Sequence, residues 1–204
     1  MDQTILKLRQ TGEPVLRQPA RTLCEEEIHR PEVQRLIVAM RDTLRDAPGV
    51  GLAAPQVGFS LQLFIVEDRA EYQQDVPPEQ LAERGRVPLP FQVIVNPKLS
   101  IIDPAPRLFF EGCLSVAGFT ALVPRAAKVR VEGLDEKGEP LLIEAEGWHA
   151  RILQHEIDHL LGKLYLDSML PRSFMTTANH ARFWKDKPVC EVCVALGLYV
   201  SQNH

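Results

Sequence analysis

The chain has 204 residues, 45% of them hydrophobic and 25% charged, which suits one globular domain built around one core. A formal net charge of -4, with no basic run and no basic-aromatic alternation, argues against nucleic-acid binding. No apolar run approaches membrane-spanning length and the first residues carry no charged-then-apolar leader, so an intracellular protein without a membrane role is expected.

In chain order, an extended lead-in precedes a helix that Pro31 can begin. Val33, Leu36, Ile37, Met40 and Leu44 recur at helical spacing, and Pro48 and Gly49 stop it. Next comes Gly49-Val50-Gly51-Leu52-Ala53-Ala54-Pro55-Gln56, in which every side chain before Gln56 is small or apolar. Its glycines permit close backbone approach to a ligand, although a tight turn that merely packs explains them equally well. The Gln56 amide is a candidate donor to a developing oxyanion.

Residues 61–67 read as a buried strand, and residues 71–90, punctuated by Pro77, Pro78, Pro88 and Pro90, as a surface insertion with room for one short helix. A second strand over 91–96 should end at Pro97, and a third should run from Arg107 into Glu111-Gly112-Cys113-Leu114-Ser115. A free cysteine is most often a small core residue. Cys24, Cys113, Cys190 and Cys193 are too few for a disulfide framework, however, so a thiolate is available as a ligand.

Gln154-His155-Glu156-Ile157-Asp158-His159 supplies the need for one. On a helix His155 and His159 lie one turn and about 40° apart, so both rings can reach one ion. Glu156 points roughly 100° away from His155 and suits a general base rather than a ligand. Catalytic sites of this type take three protein ligands and keep one position open. The metzincin position downstream is Tyr165, not His, which turns the search upstream to Cys113 as the third ligand. Leu114 would then present its backbone N–H beside the ion, and Glu111, if buried, needs a cation, for which Arg125 is the candidate in a structural rim pair.

The three segments 49–56, 111–115 and 154–159 resemble, in order and without mismatch, the motifs of peptide deformylase, and the resemblance spans residues 5–172. The insertion and Gly147-Trp148 are similar to the branch found in plant and animal organelles, the 1A-like type. The resemblance implies an α+β fold with antiparallel sheets packed around a central helix that carries the metal ligands. Residues 129–131 and 141–143 would form a hairpin of that sheet, and Gly162 would close the helix. It implies a single catalytic domain over residues 1–172 and an extension, 173–204, of undefined structure.

It also implies removal of the N-formyl group from the initiator methionine of new polypeptides. A water acidified by the metal attacks the formyl carbon, Glu156 shuttles the proton, and Gln56 and the Leu114 N–H hold the oxyanion. One Fe²⁺ per chain is implied, with Zn²⁺, Ni²⁺ and Co²⁺ tolerated by the same ligands. Partners would be N-formylmethionyl peptides and, transiently, the ribosome exit region. The location would be a bacterial cytoplasm or, after removal of a transit peptide, an organelle matrix.

Trp148, Arg151 and Ile152 share a helical face with His155 and, with Val50, Gly51 and Phe109, are the candidate walls of a methionine pocket. Trp148 and Ile152 as ordinary core, with Arg151 in solvent, is the competing reading. Cys190 and Cys193 read as inert tail thiols, and His29, His149, His180 and His204 as surface or locally bonded residues.

Overall fold

The structure, a computed structural model, describes residues 3–198; the end of the C-terminal extension, His204 included, lies outside the described residues. The lead-in is not wholly extended, since it holds a 3-10 turn at Pro14–Arg17 and the short helix α1 (Glu25–Ile28). Helix α2 (Pro31–Asp46) begins at the expected proline, whose missing N–H is one of the donors a helix start leaves free in any case.

Strands β1 (Gly51–Ala53) and β2 (Leu63–Asp68) follow, then α3 (Pro78–Arg84) within the insertion, β3 (Leu89–Gly112), β4 (Phe119–Leu134), β5 (Pro140–Glu146) and α4 (Gly147–Leu160). Strands β1 to β5 pair antiparallel in sequence order, and the short β6 (Met175–Thr176) adds to β4. The fold is α+β, as expected. The sheets form one continuous six-stranded sheet because β3 and β4 are long enough to run through it.

The apolar run in β2 is buried on both sides. Phe64 and Val66 pack with Ile152, Leu153 and Ile157 of α4, while Leu63 and Ile65 pack with Leu36, Ile37, Met40 and Leu44 of α2. Period-two alternation therefore sends adjacent residues of one strand into different cores. Helix α4 lies between that sheet face and the loop that follows β3, which is what brings the segments 49–56, 111–115 and 154–159 together.

Pro97 does not end a strand. It falls within a register slip between Val95 and Lys98, where no ladder bond is needed from its nitrogen, and β3 continues past it to Gly112. Asn96 turns the backbone there at φ 51, and its side chain exchanges two hydrogen bonds with the Leu23 backbone, at 3.0 and 2.8 Å. The β4–β5 hairpin forms as expected, with Leu134 opposite Pro140.

Gly147 opens α4 at φ +58, and a Cβ there would sit 2.7 Å from the Arg84 carbonyl oxygen. Only glycine admits both that backbone and that contact, so the insertion docks on the first turn of α4. The extension also packs. Ser173 Oγ accepts from the Leu122 amide at 2.8 Å, helix α5 (Thr177–Phe183) follows β6, and α6 (Val189–Ala195) buries Val192 and Cys193 against Leu122. Among the described residues no helix is long and apolar enough to cross a membrane.

Candidate metal centre

Helix α4 presents His155 and His159 one turn apart, and the loop after β3 brings Cys113 to them. One ligand atom from each of the three lies within 4.8 Å of the others. Cys113 Sγ is 3.3 Å from His159 Nε2 and accepts from the Ser115 amide at 3.4 Å. His155 Nδ1 donates to Glu111 Oε2 at 2.9 Å, which leaves its Nε2 as the free ligand atom. Two imidazoles and a thiolate converging from two segments, with the fourth side open, fit a divalent transition metal.

Burial and neighbours drive the two rings in opposite directions. Burial alone would lower the His155 pKa, but the Cys113 thiol and the Glu111 carboxylate outweigh it and hold the value well above the ordinary 6.5. His159, for which burial dominates, is held well below it. Cation ligation by this set is thus coupled to proton release.

Glu111 is a buried hub rather than half of a rim pair. It accepts from Arg125 Nε at 2.9 Å and Nη2 at 3.0 Å, from Arg151 Nη1, and from His155. Burial pushes its carboxyl up, but the bonds from His155 and Arg125 win and hold it well below the usual range. Arg125 also reaches Asp158, so both ends of the His-Glu-Ile-Asp-His segment are fastened to one guanidinium–carboxylate network.

Glu156 stands apart from this network. It is 3% exposed, its Oε2 has no hydrogen-bond partner, and burial raises its pKa to about 7. Gly51 makes room for it, since a Cβ at 51 would lie 2.7 Å from the Glu156 Cδ. Gln56 Oε1 accepts from the Ala53 amide at 2.8 Å, which orients its NH₂ toward Cys113 Sγ, 3.4 Å away, and Ser115 Oγ, 3.3 Å away. The Leu114 N–H finds no acceptor among the described residues.

A cleft of about 600 Å³ opens over these groups, lined by Val50, Gly51, Gln56, Leu114, Trp148, Ile152 and Glu156, and at its rim by Phe119 and Thr177. Trp148, Ile152 and His155 share the α4 face turned to it. Arg151 also borders the cleft, but it is 3% exposed and its guanidinium is taken by Glu111 and by the Val123 and Arg107 carbonyls, which excludes the solvent alternative. Arg151→Met should therefore lower Tm by about 6–12 °C, on the order of 3 kcal/mol, while selection of the first residue stays as in the parent. Altered selection at unchanged Tm would make Arg151 a substrate contact instead.

Phe109 does not line the cleft. It lies two residues before Glu111 on β3, covered by the guanidinia of Arg84 and Arg151 at 5.9 and 5.3 Å, and it borders a smaller pocket between α3 and the extension. Gln10 was not singled out from the sequence. Gln10 Nε2 donates to the Leu114 carbonyl at 3.0 Å, and the Arg9 amide to the Gln56 carbonyl at 2.7 Å, so the lead-in straps both segments that carry candidate oxyanion donors. No spacing rule marks a contact across that separation.

A family model described as polypeptide deformylase matches residues 5–174. The chain is 46% identical over 187 residues to "Peptide deformylase 1A, chloroplastic" of Solanum lycopersicum, covering 92% of this chain and 66% of that protein. It is 45% identical over 186 residues to "Peptide deformylase 3" of Streptomyces avermitilis, covering 91% of this chain and 81% of that one. Among solved structures, the Met-Ala-Ser-bound class I type b peptide deformylase of Acinetobacter baumannii superimposes with a TM-score of 0.72 at 32% identity, covering 82% of this chain and 100% of that one. The chain thus spans about two thirds of the tomato relative's length.

Proposed function

The chain belongs to the polypeptide deformylase family, and we propose that it removes the N-formyl group from the initiator methionine of nascent polypeptides, releasing formate and a free α-amine. The observation that carries this reading is the unpartnered, buried Glu156 carboxyl set beside the Cys113, His155 and His159 donors on the floor of an open cleft. Catalysis is assigned to residues 1–172.

A divalent cation, when bound by Cys113, His155 and His159, supplies a Lewis acid that polarises the formyl oxygen and acidifies water. Glu156 takes the proton of the attacking water and returns it to the leaving amine. The Gln56 amide and the Leu114 N–H hold the oxygen that becomes negative, and losing one such donor costs about 10²- to 10³-fold in turnover. Val50, Gly51, Trp148 and Ile152 take the methionine side chain, and the network around Glu111 keeps His155 in one tautomer.

The natural ion is Fe²⁺, with Zn²⁺, Ni²⁺ and Co²⁺ as substitutes. The protein meets its substrates near the ribosome exit, in a bacterial cytoplasm or an organelle matrix; the chloroplastic and mitochondrial names of several relatives support the second location.

The test is formate release from formyl-Met-Ala-Ser by protein loaded anaerobically with Fe²⁺, beside the acetylated peptide. Release from the formyl peptide alone is expected. Activity should vanish on chelation, decay in air for the Fe²⁺ form, and persist at a lower level in air for the Zn²⁺ form. Absence of release by fully loaded protein would reject the assignment.

A further inference from the structure

The insertion and the C-terminal extension meet over a second, smaller cavity, away from the metal donors. It encloses about 250 Å³ between α3 and the segment that joins α5 to α6, and Gln80 Nε2, donating to the Lys185 carbonyl at 3.3 Å, ties the two walls together. Phe109, Phe110, Trp184 and Val189 supply its apolar lining.

Arg84 is the polar group that this lining leaves without an acceptor. Its guanidinium lies 5.9 Å over the Phe109 ring and 5.4 Å over the Trp148 ring, and among the described residues it makes no hydrogen bond or ion pair. Arg86, Arg125 and Arg151, which are also withdrawn from solvent, each hold a carboxylate. A guanidinium keeps its charge and five N–H donors, so partial burial without an acceptor costs stability that a bound anion would restore. Burial, with the charge of Arg86 adding to it, lowers the Arg84 pKa accordingly.

His180 borders the same cavity, its ring set edge-on against Phe110 with centroids 4.4 Å apart. Burial and then the charge of Arg84 lower its pKa, so near pH 7 the ring is neutral and keeps one N–H to donate. Glu79, Glu83, Lys185, Asp186 and Lys187 also border the cavity, but they are exposed and screened by water. Glu83 precedes Arg84 directly and so points about 100° away from it on α3. The interior is therefore apolar with an unanswered positive charge.

We propose that this cavity binds a small carboxylate carrying an aromatic or branched apolar body. The carboxylate sits on the Arg84 guanidinium, whose fork suits two parallel hydrogen bonds, with the His180 N–H as a further donor. The body packs among Phe110, Trp184 and Val189. Through Arg84 the occupant reaches Trp148, which lines the larger cleft.

The test titrates phenylacetate into zinc-loaded, ¹⁵N-labelled protein and follows the indole N–H resonances of Trp148 and Trp184, the two tryptophans of the chain. The Trp184 resonance should shift and saturate. Phenylacetamide, which has the ring without the charge, and inorganic phosphate, which has the charge without the ring, should each bind at least about tenfold more weakly. Arg84→Gln should weaken phenylacetate by about tenfold or more, whereas Arg35→Gln, on the exposed face of α2, should bind as the parent does. Each Kd is a titration midpoint, so a loss of folded material does not alter it, and the comparison of ligands in the parent needs no variant. No shift of the Trp184 resonance up to about 10 mM phenylacetate overturns the site. So does equal binding of phenylacetamide or of phosphate, or parent-like affinity in Arg84→Gln, the result expected of a carboxylate that binds the zinc instead.

Discussion

Glu156→Ala should cut formate release by about 10²- to 10⁴-fold while the protein still binds one metal ion per chain, as read by metal analysis beside the kinetic assay. The loss falls on turnover because Glu156 is not among the three clustered donors. Its carboxyl is buried, is raised to about 7 and has an oxygen with no partner, an arrangement poor for stability and good for accepting a proton near neutral pH. Stability gives an independent reading. In metal-free protein the folded-state value of about 7 exceeds the ordinary 4.5, so the folded state holds the proton more tightly than the unfolded one. Stability from this group is therefore fully present below 4.5 and declines as pH rises through about 7. Glu156→Gln should flatten that decline. Near-parent turnover by a metal-loaded Glu156→Ala protein would remove Glu156 from the chemistry altogether.

Glu111→Ala should destabilise the metal-free protein by about 3–5 kcal/mol, because it leaves the buried guanidinia of Arg125 and Arg151 without their shared carboxylate. For a chain of this size that is a Tm loss of roughly 6–20 °C. Metal affinity should fall by about 10- to 100-fold as well, since His155 loses the acceptor that fixes its Nδ1–H and frees Nε2. Glu111→Gln keeps the volume and one acceptor oxygen and should fall between parent and Ala. The Glu111 carboxyl is held far below 4.5, so its contribution is fully present above that pH and is lost as acid carries the protein down toward the folded-state value. Thermal melts across pH and a metal titration read both effects. A Glu111→Ala protein that melts within two or three degrees of the parent would mean that the arginines find other acceptors and that His155 is held by packing.

The helix that carries the candidate ligands was legible because its signal is local. His155 and His159 are four residues apart, and a 3.6-residue repeat alone puts them on one face with Glu156 to the side. The same holds for α2, whose apolar stripe and opening Pro31 lie within one segment, and for the hairpin between β4 and β5. Cys113 was reached by elimination, from a site short of one ligand and a thiol beside a glycine, and the fold sets it 3.3 Å from His159.

What only tertiary structure decided are contacts whose register is set by a distant partner. Pro97 lies inside a strand because β4 slips past it, a property of the pairing and not of the residues around it. Phe109 and Glu111 are two residues apart on β3, yet one is covered by Arg84 and Arg151 while the other meets His155, because different side chains stand over each. Arg151 shares a helical face with His155, as its spacing says, but the carbonyls of Arg107 and Val123 draw its head away from solvent. The sequence by itself determined the ligand helix, the general-base candidate and the family motifs, since helical periodicity is a short-range code. Tertiary structure decided the Glu111 hub, the Gln10 strap and the reach of Thr177 to the cleft, since each depends on strands and loops meeting across the whole chain.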